Sequence, residues 1–310
     1  MKTDTDNFAS GETTPRKRRR FVSTPALILG LLGYVAVSCV SAQKVVAVLS
    51  SGSGAYAESL EGFEKEWGKF VPTTNMATES VPLSHDTSIV IAFGAKAAMR
   101  PYPDSLTLIY WAPGLGADQL NCAGQAINIQ LGTRPDILVS RIKEIQPKLK
   151  NFSIFYMSAY YTRYIEKLRQ ATRALGIMIS ADKLNRTDEL PDRLRAMETK
   201  PDAVLILNDP QFINTQTFTI LKNYSWANGV PLYAPTAGLV EQGATASIGP
   251  AFTELGRAAA QTARKVLAGI PAGEEIYPDV NEVTVNLTAA SKTGVVFSED
   301  FLKKVRKAFP

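Results

Sequence analysis

Lys44-Val45-Val46-Ala47-Val48-Leu49 runs at once into Ser50-Ser51-Gly52-Ser53-Gly54-Ala55-Tyr56, and this pairing of run and loop sets the fold class. A run that is apolar at consecutive positions is apolar on both faces of a strand. That pattern belongs to a parallel sheet covered by helices on both sides. The polar, glycine-bearing loop after it opens the next helix. The same arrangement returns in the second half of the chain, where Ile154-Phe155-Tyr156 runs into Met157-Ser158-Ala159-Tyr160-Tyr161.

Working outward, further β-branched runs lie at Ser88–Phe93, Thr107–Tyr110, Ala126–Gln130, Ala203–Leu207, Val230–Tyr233, Ala244–Ile248 and Val283–Asn286. Between them, apolar residues recur at helical spacing: Leu138, Ile142, Ile145 and Leu149, then Tyr161, Ile165, Leu168, Thr172 and Leu175. A third set is Leu255, Ala259, Thr262 and Val266. Gly176, Gly229 and Gly269 fall where helix C-terminal caps belong. Strand and helix alternating over most of the chain predict an α/β protein with doubly wound sheets. The turn Gln146–Asn151 breaks the series near its middle. The predicted organisation is therefore one lobe of residues 43–150 plus 250–279 and a second of 151–249 plus 280–310. Ligands bind outside the carboxyl ends of strands in such sheets, so two facing lobes would form a cleft.

The chain has 310 residues, 34 Lys plus Arg against 29 Asp plus Glu, with 45% hydrophobic and 20% charged residues. That excludes a disordered chain, a collagen-like repeat and a polytopic membrane protein. Six of the basic and three of the acidic residues lie in 1–42, which leaves 28 against 26 for the rest. No basic stripe remains to track phosphates, so nucleic acid is not an expected partner.

Residues 1–42 read as an export signal: Arg16-Lys17-Arg18-Arg19-Arg20, then an apolar run from Pro25 to Val37 that is too short to span a bilayer comfortably. Val40-Ser41-Ala42 is a small-residue cleavage site that would leave Gln43 first. Ala36-Val37-Ser38-Cys39 resembles a lipoprotein box without its Leu and is the lesser reading. A twin-arginine signal around Arg18-Arg19-Arg20-Phe21-Val22 is a further one. A periplasmic location follows. With Cys39 removed or acylated, Cys122 has no partner, so no disulfide is expected and Cys122 should be a small buried residue.

Several longer segments carry a resemblance. They are Ile89-Val90-Ile91-Ala92-Phe93-Gly94-Ala95-Lys96, Leu205-Ile206-Leu207-Asn208-Asp209-Pro210, Gly229-Val230-Pro231-Leu232-Tyr233 and Leu239-Val240-Glu241-Gln242-Gly243. Val285-Asn286-Leu287-Thr288-Ala289-Ala290-Ser291 completes them. In order and spacing the chain from Lys44 onward resembles the type I periplasmic binding proteins. Within them it is most similar to the branch of ABC-transporter substrate-binding proteins that includes aromatic amino-acid binders. The resemblance implies two doubly wound βαβ lobes joined by three hinge crossings, here near Asn151, Gly249-Pro250 and Val280–Asn286. It also implies a monomer that carries a small molecule to an ABC permease by lobe closure, with no chemistry and no cofactor. Members usually carry Asp-Pro after the third strand, where this chain has Ala112-Pro113.

The cleft candidates follow from the strand ends. In the first lobe they are Ser51, Gly52, Ser53 and Tyr56 after the first strand, Gly94, Ala95 and Lys96 after the next, and Tyr110 closing the third. In the second they are Tyr156, Ser158 and Tyr161, with Tyr160 beside them, then Asn208, Asp209 and Thr236. Asp209 either faces the cleft or caps the helix beyond it. The tyrosines suggest a flat or ring-bearing ligand. Gly52-Ser53-Gly54-Ala55-Tyr56-Ala57 also satisfies G-x-G-x-x-A, with Glu79 placed as a ribose-binding acid, so an exported dinucleotide enzyme is one alternative. The ligand-binding module of a sensory system is another. His85 is the single histidine, which leaves no His-rich metal site, and no G-x-S-x-G or H-E-x-x-H occurs. Asp188-Glu189 and Glu274-Glu275 read as solvated connectors. Lys303–Lys307 reads as the exposed face of a last amphipathic helix. N-terminal sequencing of the exported protein should return Gln43; lipid on Cys39 would contradict this.

Overall fold

The computed structural model describes residues 44–79 and 83–310. The expected export signal, with Cys39, lies outside these residues. In chain order the first half runs β1 (Lys44–Leu49), α1 (Ala55–Trp67), β2 (Thr73–Asn75), β3 (Thr87–Phe93), α2 (Ala95–Ala98), β4 (Thr107–Trp111), β5 (Ala126–Ile129) and α3 (Pro135–Ile145). The next part runs β6 (Asn151–Tyr156), α4 (Tyr161–Arg173), β7 (Met178–Lys183), α5 (Leu190–Arg195), β8 (Ala203–Leu205), α6 (Thr215–Asn228), β9 (Leu232–Ala234), α7 (Ala237–Glu241) and β10 (Ala246–Gly249). The last is α8 (Phe252–Leu267), β11 (Glu275–Ile276), β12 (Glu282–Asn286), α9 (Leu287–Thr293), α10 (Glu299–Leu302) and β13 (Lys307–Phe309).

The strands form two sheets, ordered β2-β1-β3-β4-β5-β11 and β7-β6-β8-β9-β10-β12-β13. All pairings are parallel except β10 with β12. The alternation of the strand side chains builds a layer on each face. In the first sheet Val45, Ala47 and Leu49 pack with Phe63 of α1 and Leu255 and Ala259 of α8. Val46 and Val48 pack on the other side with Ala97, Tyr102 and Leu106. The second sheet repeats this, with Phe152 and Ile154 facing α3 and α4 and Phe155 facing α5 and α6. All nine expected strands are present. Four short or edge strands (β2, β7, β11 and β13) are additional, because an edge strand with mixed polarity leaves little periodic signal.

Two expectations are corrected. Leu138, Val139, Ile142 and Ile145 of α3 belong to the same core as Phe152 and Ile154. The first crossing between lobes therefore lies between β5 and α3, ahead of the expected break at Asn151. The turn at 146–151 is an ordinary helix-to-strand connection inside the second lobe. Its backbone is held by Asp202, whose carboxylate accepts the N–H groups of Lys150 and Asn151 at 2.8 and 2.9 Å. The C-terminus is also different, since α10 ends at Leu302 and residues 307–309 become a strand. Arg306 N–H bonds to Val283 O at 2.7 Å and Phe309 is buried, because the open edge of β12 offers backbone pairing.

The segment returning through α8 is fixed to the first lobe by close helix packing. A Cβ on Gly256 would stand 1.8 Å from Ser59 O, and one on Gly62 would stand 2.0 Å from Thr253 O. The three crossings meet at Thr133, which is 3% exposed. Its hydroxyl lies 2.9 Å from both the Ile248 carbonyl, at the end of β10 where the second crossing starts, and Asn281 Oδ1 in the third crossing. Thr133→Val should reduce stability by about 1–3 kcal/mol, since both acceptors lose the donor. Thr133→Ser should restore most of that. Urea midpoints of the three proteins provide the measurement.

Candidate functional site

A cavity of about 730 Å³ opens between the lobes. The first lobe supplies the carboxyl ends of β4 and β5, including Tyr110, Ala112, Asn128 and Gln130, together with Glu274, Glu275 and Tyr277. The second lobe supplies Tyr160, Tyr161, Tyr164 and Lys167 at the start of α4, and the ends of β8 and β9 from Leu205 to Asn208 and Tyr233 to Pro235. The volume suits a small molecule.

Helix α4 explains why the rings converge. Tyr161, Ile165, Leu168 and Thr172 form its buried stripe against the second sheet. Tyr160, Tyr164 and Lys167, at i, i+4 and i+7, form the adjoining stripe and line the cavity. On β5, Ile127 and Ile129 point into the core under α1 and α8, so alternation turns Asn128 and Gln130 to the opposite face. Asn128 Nδ2 donates to Tyr160 Oη at 3.1 Å, and the Gln130 carboxamide lies 3.1–3.2 Å from the same oxygen. Tyr161 Oη donates to Asn208 O, and Tyr164 Oη donates to Thr133 O at 2.7 Å. The rings of Tyr160 and Tyr161 meet edge to face at 5.0 Å.

Charge is confined to the mouth. Lys167 Nζ bonds Glu275 Oε2 at 2.7 Å, with Arg163 3.7 Å from the other oxygen, so Glu275 is paired across the cleft rather than a solvated connector. Glu274 remains exposed. About a third of the Lys167 and Glu275 side chains is exposed, so the pair contributes on the order of 1 kcal/mol or less. Burial pushes the phenols of Tyr110, Tyr160, Tyr161, Tyr164 and Tyr277 above their ordinary value, so all five are neutral donors at physiological pH.

Of the residues expected from the sequence, Tyr110, Tyr160, Tyr161 and Asn208 line this cavity. The others stand elsewhere. Ser51, Gly52 and Ser53 form the turn from β1 to α1, with Ser51 and Ser53 hydroxyls 3.4 Å apart. Tyr56 stacks on Trp111 at 5.5 Å, and Trp111 Nε1 donates to Ser59 Oγ at 3.1 Å. Gly94, at φ +98°, leaves no room for a Cβ between Tyr56 and Ser50. Ala95 is exposed, and Lys96 Nζ donates to Met76 O at 2.7 Å. Tyr156 and Ser158 are buried, and Thr236 precedes α7. Asp209 is fully buried, its carboxylate accepting the N–H groups of Met157, Ser158 and Gln211 at 2.7–3.0 Å. The cap of α6 is Asn214 instead. A Cβ on Gly52 would stand 2.6 Å from the Asn75 amide nitrogen, and Glu79 accepts the Asn75 N–H at 3.0 Å.

Sequence reasoning missed Asn128, Gln130, Thr133, Tyr164, Lys167, Glu275 and Tyr277. The detectable signals were polar Asn128 within an apolar strand and the second tyrosine stripe of α4. Cys122, expected to be buried, is half-buried at the rim. Among the described residues no group of three His, Cys, Asp or Glu side chains is placed to hold a metal, and no helix is long and apolar enough to cross a membrane.

A family model described as ABC transporter substrate binding protein matches residues 135–308. An uncharacterized protein of Rickettsia prowazekii (strain Madrid E) is 23% identical over 187 residues, which are 58% of this chain and 61% of that protein. The alignment thus spans about three fifths of the curated relative. Among solved structures, the ligand-free, open form of a substrate binding protein with adhesive properties from Clostridium difficile matches 86% of this chain and 99% of its own, with TM-score 0.63 and 15% identity. A conserved domain protein from Vibrio cholerae has the same coverage, TM-score 0.59 and 15% identity. An ABC domain in complex with L-Trp from Streptococcus pneumonia covers 86% of this chain and 100% of its own, with TM-score 0.57 and 16% identity. At these identities the likeness establishes the fold, that of the type I periplasmic binding proteins.

The raised phenols give a pH prediction. The folded state holds these protons more tightly than the unfolded chain, whose tyrosines ionise near the ordinary 10.0. Their contribution is therefore complete below that pH and is lost as pH rises above it. Urea midpoints should be insensitive to these groups at pH 8–9 and fall from about pH 10 upward. Tyrosinate absorbance should appear together with unfolding.

Proposed function

The chain belongs to the ABC transporter substrate binding protein family, and on that premise we propose that it captures a small solute between its lobes for an importer. The observation that carries this reading is the cavity of about 730 Å³ whose two walls come from different lobes. A ligand touching both walls binds the closed arrangement better than an open one, and that difference in affinity is what shifts the population. The three crossings tied at Thr133 are the hinge, and a membrane permease reads the closed form. The protein acts in the periplasm as a monomer, exported by residues 1–42.

The ligand is a small ring-bearing molecule, held against Tyr110, Tyr160 and Tyr161. Aromatic side chains give large contact area at low entropic cost and favour other rings. Ser51, Gly52, Ser53 and Tyr56, with Gly94, Ala95 and Lys96, stand beside β1 and β3, where the strand order of the first sheet reverses. Ser158, Asp209 and Thr236 occupy equivalent strand ends in the second lobe. Ser51, Gly52, Ser53, Gly94, Ala95 and Thr236 flank the site as the lobes close, while Tyr156, Ser158 and Asp209 support the loops from beneath and Lys96 stays tied to the Met76 carbonyl.

Native mass spectrometry of the protein from Gln43 onward, followed by a thermal-shift screen, should identify a solute. At 100 times its dissociation constant it should add about 2.7 kcal/mol of stability and reduce the radius of gyration in solution scattering. Tyr160→Ala should weaken binding about fivefold or more. Failure of every solute to bind, or binding with no change in radius, would overturn the proposal.

A further inference from the structure

Resting on that solute-capture reading, we infer that the ligand is an uncharged ring compound with a hydrogen-bond donor and acceptor side by side. The carboxamides of Asn128 and Gln130 read that edge, and an amino-acid zwitterion or an ion is disfavoured.

The argument begins with where charge is missing. The deep lining, represented by Tyr110, Asn128, Thr133, Tyr161 and Leu207, is buried and uncharged. Among the described residues that line the cavity, Asp118, Arg163 and Glu274 are exposed at its rim. The half-buried carboxylate of Glu275 is engaged by two cations, Lys167 at 2.7 Å and Arg163 at 3.7 Å. A ligand ammonium would have to displace them. Beside Asn208, the Asp209 carboxylate is closed off by three backbone N–H groups. A charged group carried to the floor would lose its hydration and find no counter-ion, which is strongly unfavourable.

What the floor does present is amide chemistry. Asn128 and Gln130 lie two residues apart on one face, and both carboxamides converge on the single Tyr160 hydroxyl. Asn128 also meets the Tyr110 phenol, whereas Gln130 faces Tyr160, whose one proton cannot serve both carboxamides, so a Gln130 N–H beside its carbonyl is left to a ligand. A planar ligand bearing an amide-like edge supplies the complementary donor and acceptor between these residues. The rings of Tyr160 and Tyr161, edge to face, flank that position.

Four compounds that share the indole ring system and differ in charge test this by calorimetry on the protein from Gln43 onward: indole-3-acetamide, indole-3-acetate, tryptamine and L-tryptophan. The neutral amide should bind roughly tenfold or more tightly than each of the others. Gln130→Glu, with an unchanged melting curve, should raise tryptamine relative to the amide by about fivefold or more. The inference is overturned if L-tryptophan or either ion matches the amide in the unaltered protein, or if Gln130→Glu leaves the order unchanged. It also fails if none of the four binds at millimolar concentration while a ring-free solute does, and solute capture then stands. If no solute of any class binds, both fall together.

Discussion

The buried hydroxyl of Thr133 is the point on which the architecture turns. Three segments pass between the lobes, and this one side chain touches Ile248 at the strand end where the second starts and Asn281 of the third. Its own carbonyl receives the phenol of Tyr164, which stands in the wall of the cleft. The crossings and the cavity wall are thus connected by a single residue rather than by a chain of intermediaries.

That arrangement depends on the first lobe recovering a distant part of the chain. Helices α1 and α8 approach at glycines, where backbone meets backbone, and Ser59 bonds both the Phe252 carbonyl and the Trp111 indole. This contact holds 252–277 on the first lobe and carries Glu275 to the mouth of the cleft opposite Lys167. The electrostatics of the site are therefore a product of long-range packing. Charged groups stay at the rim, where water screens them. The interior keeps neutral phenols and carboxamides, whose hydrogen bonds are strengthened by the low dielectric.

The two sheets share one strand order, 2-1-3-4-5 in local numbering, and the reversal in that order marks where a crevice forms. The loops chosen from sequence flank that reversal in the first lobe. The cavity, however, lies toward β4 and β5. The reason is local packing: Tyr56 is stacked on Trp111, and Lys96 is tied to the Met76 carbonyl. The start of α4 instead projects a second stripe of rings at β5. A helix whose apolar stripe adjoins a stripe of Tyr160, Tyr164 and Lys167 reads in sequence as one amphipathic helix, so the cleft-facing stripe stayed hidden behind the core-facing one.

Strand runs such as Val45–Leu49 and Ile89–Phe93, apolar on both faces, determined by themselves that the sheets are parallel and covered, because only buried strands can be continuous in this way. The helical spacing of Tyr161, Ile165 and Leu168 likewise determined α4 and its buried face. Tertiary structure alone decided which lobe owns α3, that Glu275 meets Lys167, that Asn128 and Gln130 converge on Tyr160, and that residues 307–309 extend a sheet. Each of these joins residues far apart in the chain, or fills an edge left by another strand. Periodicity records how one segment meets its core; it holds no information on which distant segment arrives on the remaining face.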